Sequence, residues 1–210
     1  MNKVLVSLLL TLGITGIAHA AGNAEAGQEK IAVCGACHGA DGNSPAPNFP
    51  KLAGQGESYL FKQLQDIKAG STPGAPEGVG RKVLEMTGML DPYNEQDLAD
   101  IAAYFASQKM TVGMADPALV EQGEQLFRGG KLDLGMPACT GCHAPNGVGN
   151  DLAGFPQLGG QHAAYTAKQL TDFREGNRTN DGDTMIMRTI AAKLSNKDIE
   201  ALSSYIQGLH

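Results

Sequence analysis

The chain has 210 residues, is 5% aromatic with no Trp, and sets 22 acidic against 16 basic residues for a formal charge of −6. A net negative protein without a basic cluster is excluded as a nucleic-acid binder, and its partners are expected to be proteins. Small domains this poor in aromatics also need help to complete a core, which a large bound apolar group would supply.

Residues 1–20 read as a cleaved secretory signal peptide: Lys3 gives the positive start, Val4 to Ile17 an apolar run, and Ala18-His19-Ala20 a small-x-small cleavage site. The run is short for an uncleaved membrane anchor. The remaining 190 residues carry 15 basic and 22 acidic side chains, a formal −7. Asn23 caps a short helix over 24–33, which leads into Cys34-Gly35-Ala36-Cys37-His38. A Gly- and Pro-rich loop follows to Pro50. The pattern of Tyr59, Phe61, Leu64 and Ile67 predicts a helix from about 58 to 69, stopped at Gly70. After a loop over 71–80, residues 81–89 suit a short helix. Asn94 with Asp97 opens a firmer one through 107, its stripe formed by Leu98, Ile101, Ala102 and Phe105. Asp116-Pro117 is expected to cap a helix to about Phe127, ahead of Cys139-Thr140-Gly141-Cys142-His143. Ser195 and Asp198 form a capping box for the last helix, which Gly208 ends.

The two Cys-x-x-Cys-His pentapeptides use all four cysteines. Thiols at i and i+3 lie on one side of a helical turn, so both can bond the vinyl groups on one edge of a porphyrin, and the next residue brings an imidazole to the iron. Zinc, a redox dithiol and a disulfide also use Cys-x-x-Cys. The following His, the duplication and the export signal favour covalent haem, attached through Cys34, Cys37, Cys139 and Cys142. Export also places the chain in an oxidising periplasm.

The duplication extends beyond the motifs. Phe49-Pro50-Lys51-Leu52-Ala53-Gly54-Gln55 returns as Phe155-Pro156-Gln157-Leu158-Gly159-Gly160-Gln161, an offset of 106, and Tyr59, Gln63, Leu64 and Gly70 map onto Tyr165, Gln169, Leu170 and Gly176. The last helices match at an offset of 101. A five-residue shortening follows Gly176, and an insertion occupies roughly 129–137. Two domains of one fold are therefore expected, over 21–108 and 116–210, joined by a linker at 109–115.

With His38 and His143 as one axial ligand each, the repeat selects the other. At the offset of 101, Met86 falls on Met187, while Met89 and Met185 find no matching Met. A thioether opposite a histidine raises the potential, as suits an electron carrier. Pro50 and Pro156 stand 12 and 13 residues past their histidines, and their carbonyls are expected to accept the imidazole N–H. His162 has no counterpart and reads as a helix-start residue. Arg81, Arg178 and Arg188 are candidates for the haem carboxylates, with solvated surface charge as the alternative.

The paired motifs, the Phe-Pro-x-Leu-x-Gly-Gln and Tyr-x-x-x-Gln-Leu repeats and the Met-bearing segments resemble the dihaem cytochrome c4 family over essentially the whole mature chain. The resemblance implies an all-α fold of two tandem class I cytochrome c domains, each wrapped around one covalent haem c and related by a pseudo-twofold axis. It further implies His–Met ligation of both irons and a monomeric periplasmic carrier, loosely associated with the inner membrane through its partners, passing electrons from a respiratory donor complex to a terminal oxidase. An electron-transfer subunit of a periplasmic dehydrogenase is the alternative, since fold and ligands would look alike. A dihaem peroxidase fits less well, because the symmetric Met pair closes both irons against substrate.

Overall fold

The computed structural model describes residues 21–76 and 78–210, so the expected signal peptide lies outside the described residues. Asn23 accepts a hydrogen bond from the Ala26 N–H and starts α1, Ala24–Gln28. The single helix expected over 24–33 is broken at Glu29 to Ile31, and α2, Ala32–His38, begins anew. The break is held from outside: the Lys30 ammonium reaches Asp97 at 2.8 Å and Asp100 at 2.6 Å, and the Tyr93 hydroxyl donates to the Lys30 carbonyl. α3 spans Glu57–Ser71 and α4 spans Glu95–Ala106, whose Asn94–Asp97 capping box is formed in both directions.

The second half contains α5, Val120–Gly129; α6, Thr140–His143; α7, Ala163–Glu175; α8, Ile186–Ala191; and α9, Asn196–Gly208. Helix contacts repeat: α1 packs on α4 as α5 packs on α9, and α3 on α4 as α7 on α9. At both crossings a glycine lets backbones touch. A Cβ on Gly27 would lie 2.0 Å from the Asp100 carbonyl oxygen, and one on Gly123 would lie 2.5 Å from that of Ala201. The cores follow the same plan, with Ile31, Leu60, Ile101 and Phe105 in the first half and Leu126, Phe127, Leu202 and Ile206 in the second.

Several elements depart from the sequence expectation. Residues 81–89 form only a 3-10 turn, Leu84–Met86, because the segment is bound to α3 instead of to itself: the Arg81 N–H donates to the Asp66 carbonyl. Gly70 does not stop α3. It lies where a Cβ would come within 2.6 Å of the Arg81 carbonyl oxygen, whereas its repeat Gly176 does cap α7 in a left-handed conformation at φ 77°. Asp116 does not cap α5. Its side chain closes a local turn on the Ala118 N–H, and its own N–H is taken by the Ser204 hydroxyl. α9 does end at Gly208 as expected, and that glycine lies against Ala115. The insertion over 129–137 folds into a narrow loop, with Lys131 and Met136 exchanging backbone hydrogen bonds, so that Met136 is fully buried while Leu132 and Leu134 stay exposed.

The linker is packed. Asn43 of the first half bonds the Lys109 carbonyl and both the N–H and hydroxyl of Thr111, and Gln207 of the second half bonds the Gly113 N–H and the Met114 carbonyl. The linker thus touches both halves.

Candidate functional site

Both pentapeptides face one cavity of about 1070 Å³ between the halves. It is larger than a typical pocket for a single small ligand, roughly 300–1,000 Å³. α2 carries Cys34, Cys37 and His38, and α6 carries Cys142 and His143 with Cys139 at its start; all six line the cavity. Immediately after each histidine the chain leaves through a left-handed residue, Gly39 at φ 78° and Ala144 at φ 64°. An alanine held there is a strained conformation retained at a site.

The two imidazoles are buried and held alike. His38 Nδ1 donates to the Pro50 carbonyl and His143 Nδ1 to that of Pro156, each at 2.9 Å. A carbonyl accepts only, so the proton is on Nδ1 and the Nε2 lone pair is available. Burial lowers both histidine pKa values and favours the neutral ring, against the smaller opposing effect of the carbonyl. Phe49 and Phe155 meet the two rings edge-on at 6.2 and 6.3 Å. The four thiols are unpaired, and burial pushes Cys34 up and Cys139 up to about 11.

Met86, from the 3-10 turn, and Met187, from α8, line the same cavity and are half-buried. Met89 also lines it but is more exposed, and Met185 is 47% exposed at the strained start of α8, φ 48°. Among the described residues no three His, Cys, Asp or Glu side chains converge as a metal cluster. Two thiol pairs, two neutral imidazoles, two thioethers and largely apolar walls are what a pair of covalent haems needs, so the residues present fit that group.

Polar groups join the halves across this cavity in a reciprocal pattern. Arg81 donates to Tyr165 at 3.1 Å, Gln169 at 2.8 Å and Gln63 at 3.0 Å, while Arg178 donates to Tyr59 at 3.0 Å, Gln63 at 3.0 Å and Gln169 at 2.9 Å. Arg178 is 7% exposed, so solvated surface charge is not its role; Arg188, by contrast, pairs with Asp181 at 2.7 Å. The motif glutamines also cross over. Gln161 Oε1 accepts the Lys51 N–H and its Nε2 donates to the Lys51 carbonyl, both at 2.9 Å. Gln55 brackets Gln157 in the same way at 2.7 and 2.9 Å. Each is preceded by a glycine with positive φ, Gly54 at 69° and Gly160 at 82°, a turn that only glycine adopts without strain. His162 starts α7 and its Nε2 donates to the Ser44 carbonyl of the first half at 2.8 Å. The sequence carried a signal for the junction in the repeated Tyr and Gln positions, but nothing in it tied them to arginines 84 to 119 residues away.

The cytochrome c family model matches residues 24–109 and 120–210. The chain is 90% identical to cytochrome c4 of Stutzerimonas stutzeri over 210 residues, covering both proteins in full. It is 34% identical to a thiosulfate dehydrogenase electron acceptor of Thiomonas intermedia, over 98% of this chain and 90% of that one. The crystal structure of reduced recombinant cytochrome c4 from Pseudomonas stutzeri is similar at a TM-score of 0.89 and 89% identity, covering 90% of this chain and 100% of that chain. Two matched domains, each with its own Cys-x-x-Cys-His on a shared cavity, and full-length identity at this level lead to one conclusion: the chain belongs to the cytochrome c4 family, as an all-α electron carrier of two cytochrome c domains, not an enzyme, with two covalently attached haems c.

Proposed function

We propose that the chain is exported, loses residues 1–20, and works in the periplasm as a monomer that takes electrons from a respiratory donor complex and delivers them to a terminal oxidase. The working parts are a domain over 21–108, a linker over 109–115 and a domain over 116–210. No helix among the described residues is long and apolar enough to cross a membrane. Loose association with the inner membrane would run through its partners. Each bound haem supplies a one-electron ferric–ferrous couple, and a His–Met ligand pair raises its potential.

The protein's own residues divide the remaining work. Cys34 and Cys37, and Cys139 with Cys142, fix the two groups covalently. His38 with Met86, and His143 with Met187, would hold the two haem irons. The carbonyls of Pro50 and Pro156 hold the proximal rings in one tautomer and orientation. Held from both sides by protein groups in this way, neither haem would offer a position to substrate. The observation that carries this reading is the repetition of one set of groups, two thiols, a carbonyl-held imidazole and a cavity-lining Met, on both sides of one cavity.

Exchanging Met86 or Met187 for His tests it. Each variant is expected to lose the near-infrared thioether-to-ferric-iron band of one site, and the double variant both; a band that survives the double exchange refutes the ligand assignment. A second reading, service to a periplasmic dehydrogenase, is supported by the Thiomonas relative named an electron acceptor of such an enzyme. Affinity capture from the native periplasm separates the two: recovery with a dehydrogenase, without oxidase, favours the second.

A further inference from the structure

The reciprocal glutamines act on a particular peptide bond. The Pro50 carbonyl that accepts the His38 Nδ1–H and the Lys51 N–H that donates to Gln161 Oε1 belong to the same peptide unit. On the other side, the Pro156 carbonyl that accepts from His143 shares its peptide with the Gln157 N–H, which donates to Gln55 Oε1. A peptide that donates at nitrogen is polarised and accepts more strongly at oxygen, so hydrogen bonds in such a chain strengthen one another. The ends of both chains lie away from water, Gln55 and Gln161 at 5% exposed each and both histidines at 7%; Lys51 is 6% exposed, and Pro50, Pro156 and Gln157 are half-buried.

We propose that Gln161 and Gln55 are crossed positioning residues, each setting the strength of the proximal-histidine hydrogen bond in the opposite domain. Gln161, from the second domain, acts through the 50–51 peptide on His38; Gln55, from the first, acts through the 156–157 peptide on His143. The other arm of each glutamine, donating to the Lys51 or the Gln157 carbonyl, keeps the peptide from rotating. A stronger bond at Nδ1 makes the imidazole a more basic ligand and stabilises ferric iron, so losing the glutamine acceptor raises the potential of the haem in the other domain. The ligand identities of His38 and His143 are those of the proposed function, on which this inference rests.

The test uses reduced, 15N-labelled holo-protein, in which the ring N–H signals of His38 and His143 are told apart by their proximity to Pro50 and Pro156. Gln161→Leu is expected to move the His38 signal and leave that of His143 in place, and Gln55→Leu to do the reverse. Spectroelectrochemistry should show the potential rising in the opposite domain alone, by about threefold in the ferric–ferrous equilibrium constant, ~28 mV at 59 mV per decade. Gln161→Glu and Gln55→Glu keep an acceptor oxygen for the peptide N–H but lose the amide donor arm, and should move the opposite ring N–H less than the Leu variants do. Shifts confined to the glutamine's own domain, equal shifts in both, none in either, or Glu variants displaced as far as Leu would each overturn the crossed arrangement. Wild-type ring N–H signals without the large upfield ring-current shift of an iron-bound imidazole would instead overturn the ligand assignment.

Discussion

The glycine crossings lead to a quantitative prediction within one helix. Gly123→Ala puts a methyl group 2.5 Å from the Ala201 carbonyl oxygen and 2.5 Å from Tyr205 Cβ, where ordinary contact begins at 3.4 Å. The α5–α9 crossing must therefore open by about 0.9 Å, a gap that forfeits a quarter to a half of each dispersion contact across it. Phe127, fully buried, and Leu126 pack in that seam. Overpacking of this kind costs about 1–3 kcal/mol, offset by the ~0.5–1 kcal/mol that alanine gains over glycine in a helix. The net loss is about 1–2 kcal/mol, or roughly 5–15 °C in the melting temperature of a domain this size. Gly129→Ala, at the end of the same helix, meets nothing within 4 Å and should be neutral or stabilising. Thermal unfolding of the oxidised holo-protein, followed by circular dichroism, compares the two variants. Equal melting temperatures for both would refute the argument from close approach.

Acid should weaken the second domain through Asp198. Burial alone would raise its pKa, but the Ser195 hydroxyl and N–H and the Lys131 ammonium outweigh it and hold the carboxyl below its ordinary 3.8. The stabilisation is present above pH 3.8 and is lost as pH falls through the lower folded value, so Asp198→Asn should be less stable than wild type in denaturant at pH 7, with the difference shrinking at pH 3. Arg178→Met removes a buried cation from Tyr59, Gln63, Gln169 and Asn180; with hydrogen bonds to charged groups worth about 1.5–3 kcal/mol, calorimetry should show a loss of at least ~2 kcal/mol and separation of the two domain transitions. Asn43→Ala frees three linker contacts and should speed proteolytic cleavage within 109–115 without changing the visible spectrum.

Local chemistry was legible in the sequence where it acts over short distances. The Asn94–Asp97 and Ser195–Asp198 capping boxes formed because both partners lie within one turn. Elements whose form depends on a distant partner were not: the break after α1 rests on Lys30 and Tyr93 reaching contacts 63 to 70 residues apart, and the 81–89 segment gives its backbone to α3 instead of closing a helix. The cysteines, histidines and matched methionines stood out because their spacing repeats. Arg81 and Arg178 stood out only as candidates for the haem carboxylates; their pairing with tyrosine and glutamine did not, because those partners arrive from the other half of the chain.

The reciprocity of the junction has a consequence for association. Contacts in which Gln161 meets Lys51 while Gln55 meets Gln157, the repeat of Lys51, are those of an isologous twofold interface. Two separate copies would have to find each other and give up translational freedom to make it. Joined by a short linker, itself pinned to both halves, they meet at a fixed, high effective concentration, and the contact survives any dilution. Covalent tandem also frees the two sides to differ, as Lys51 and Gln157 already do, which no symmetric pair of identical chains permits.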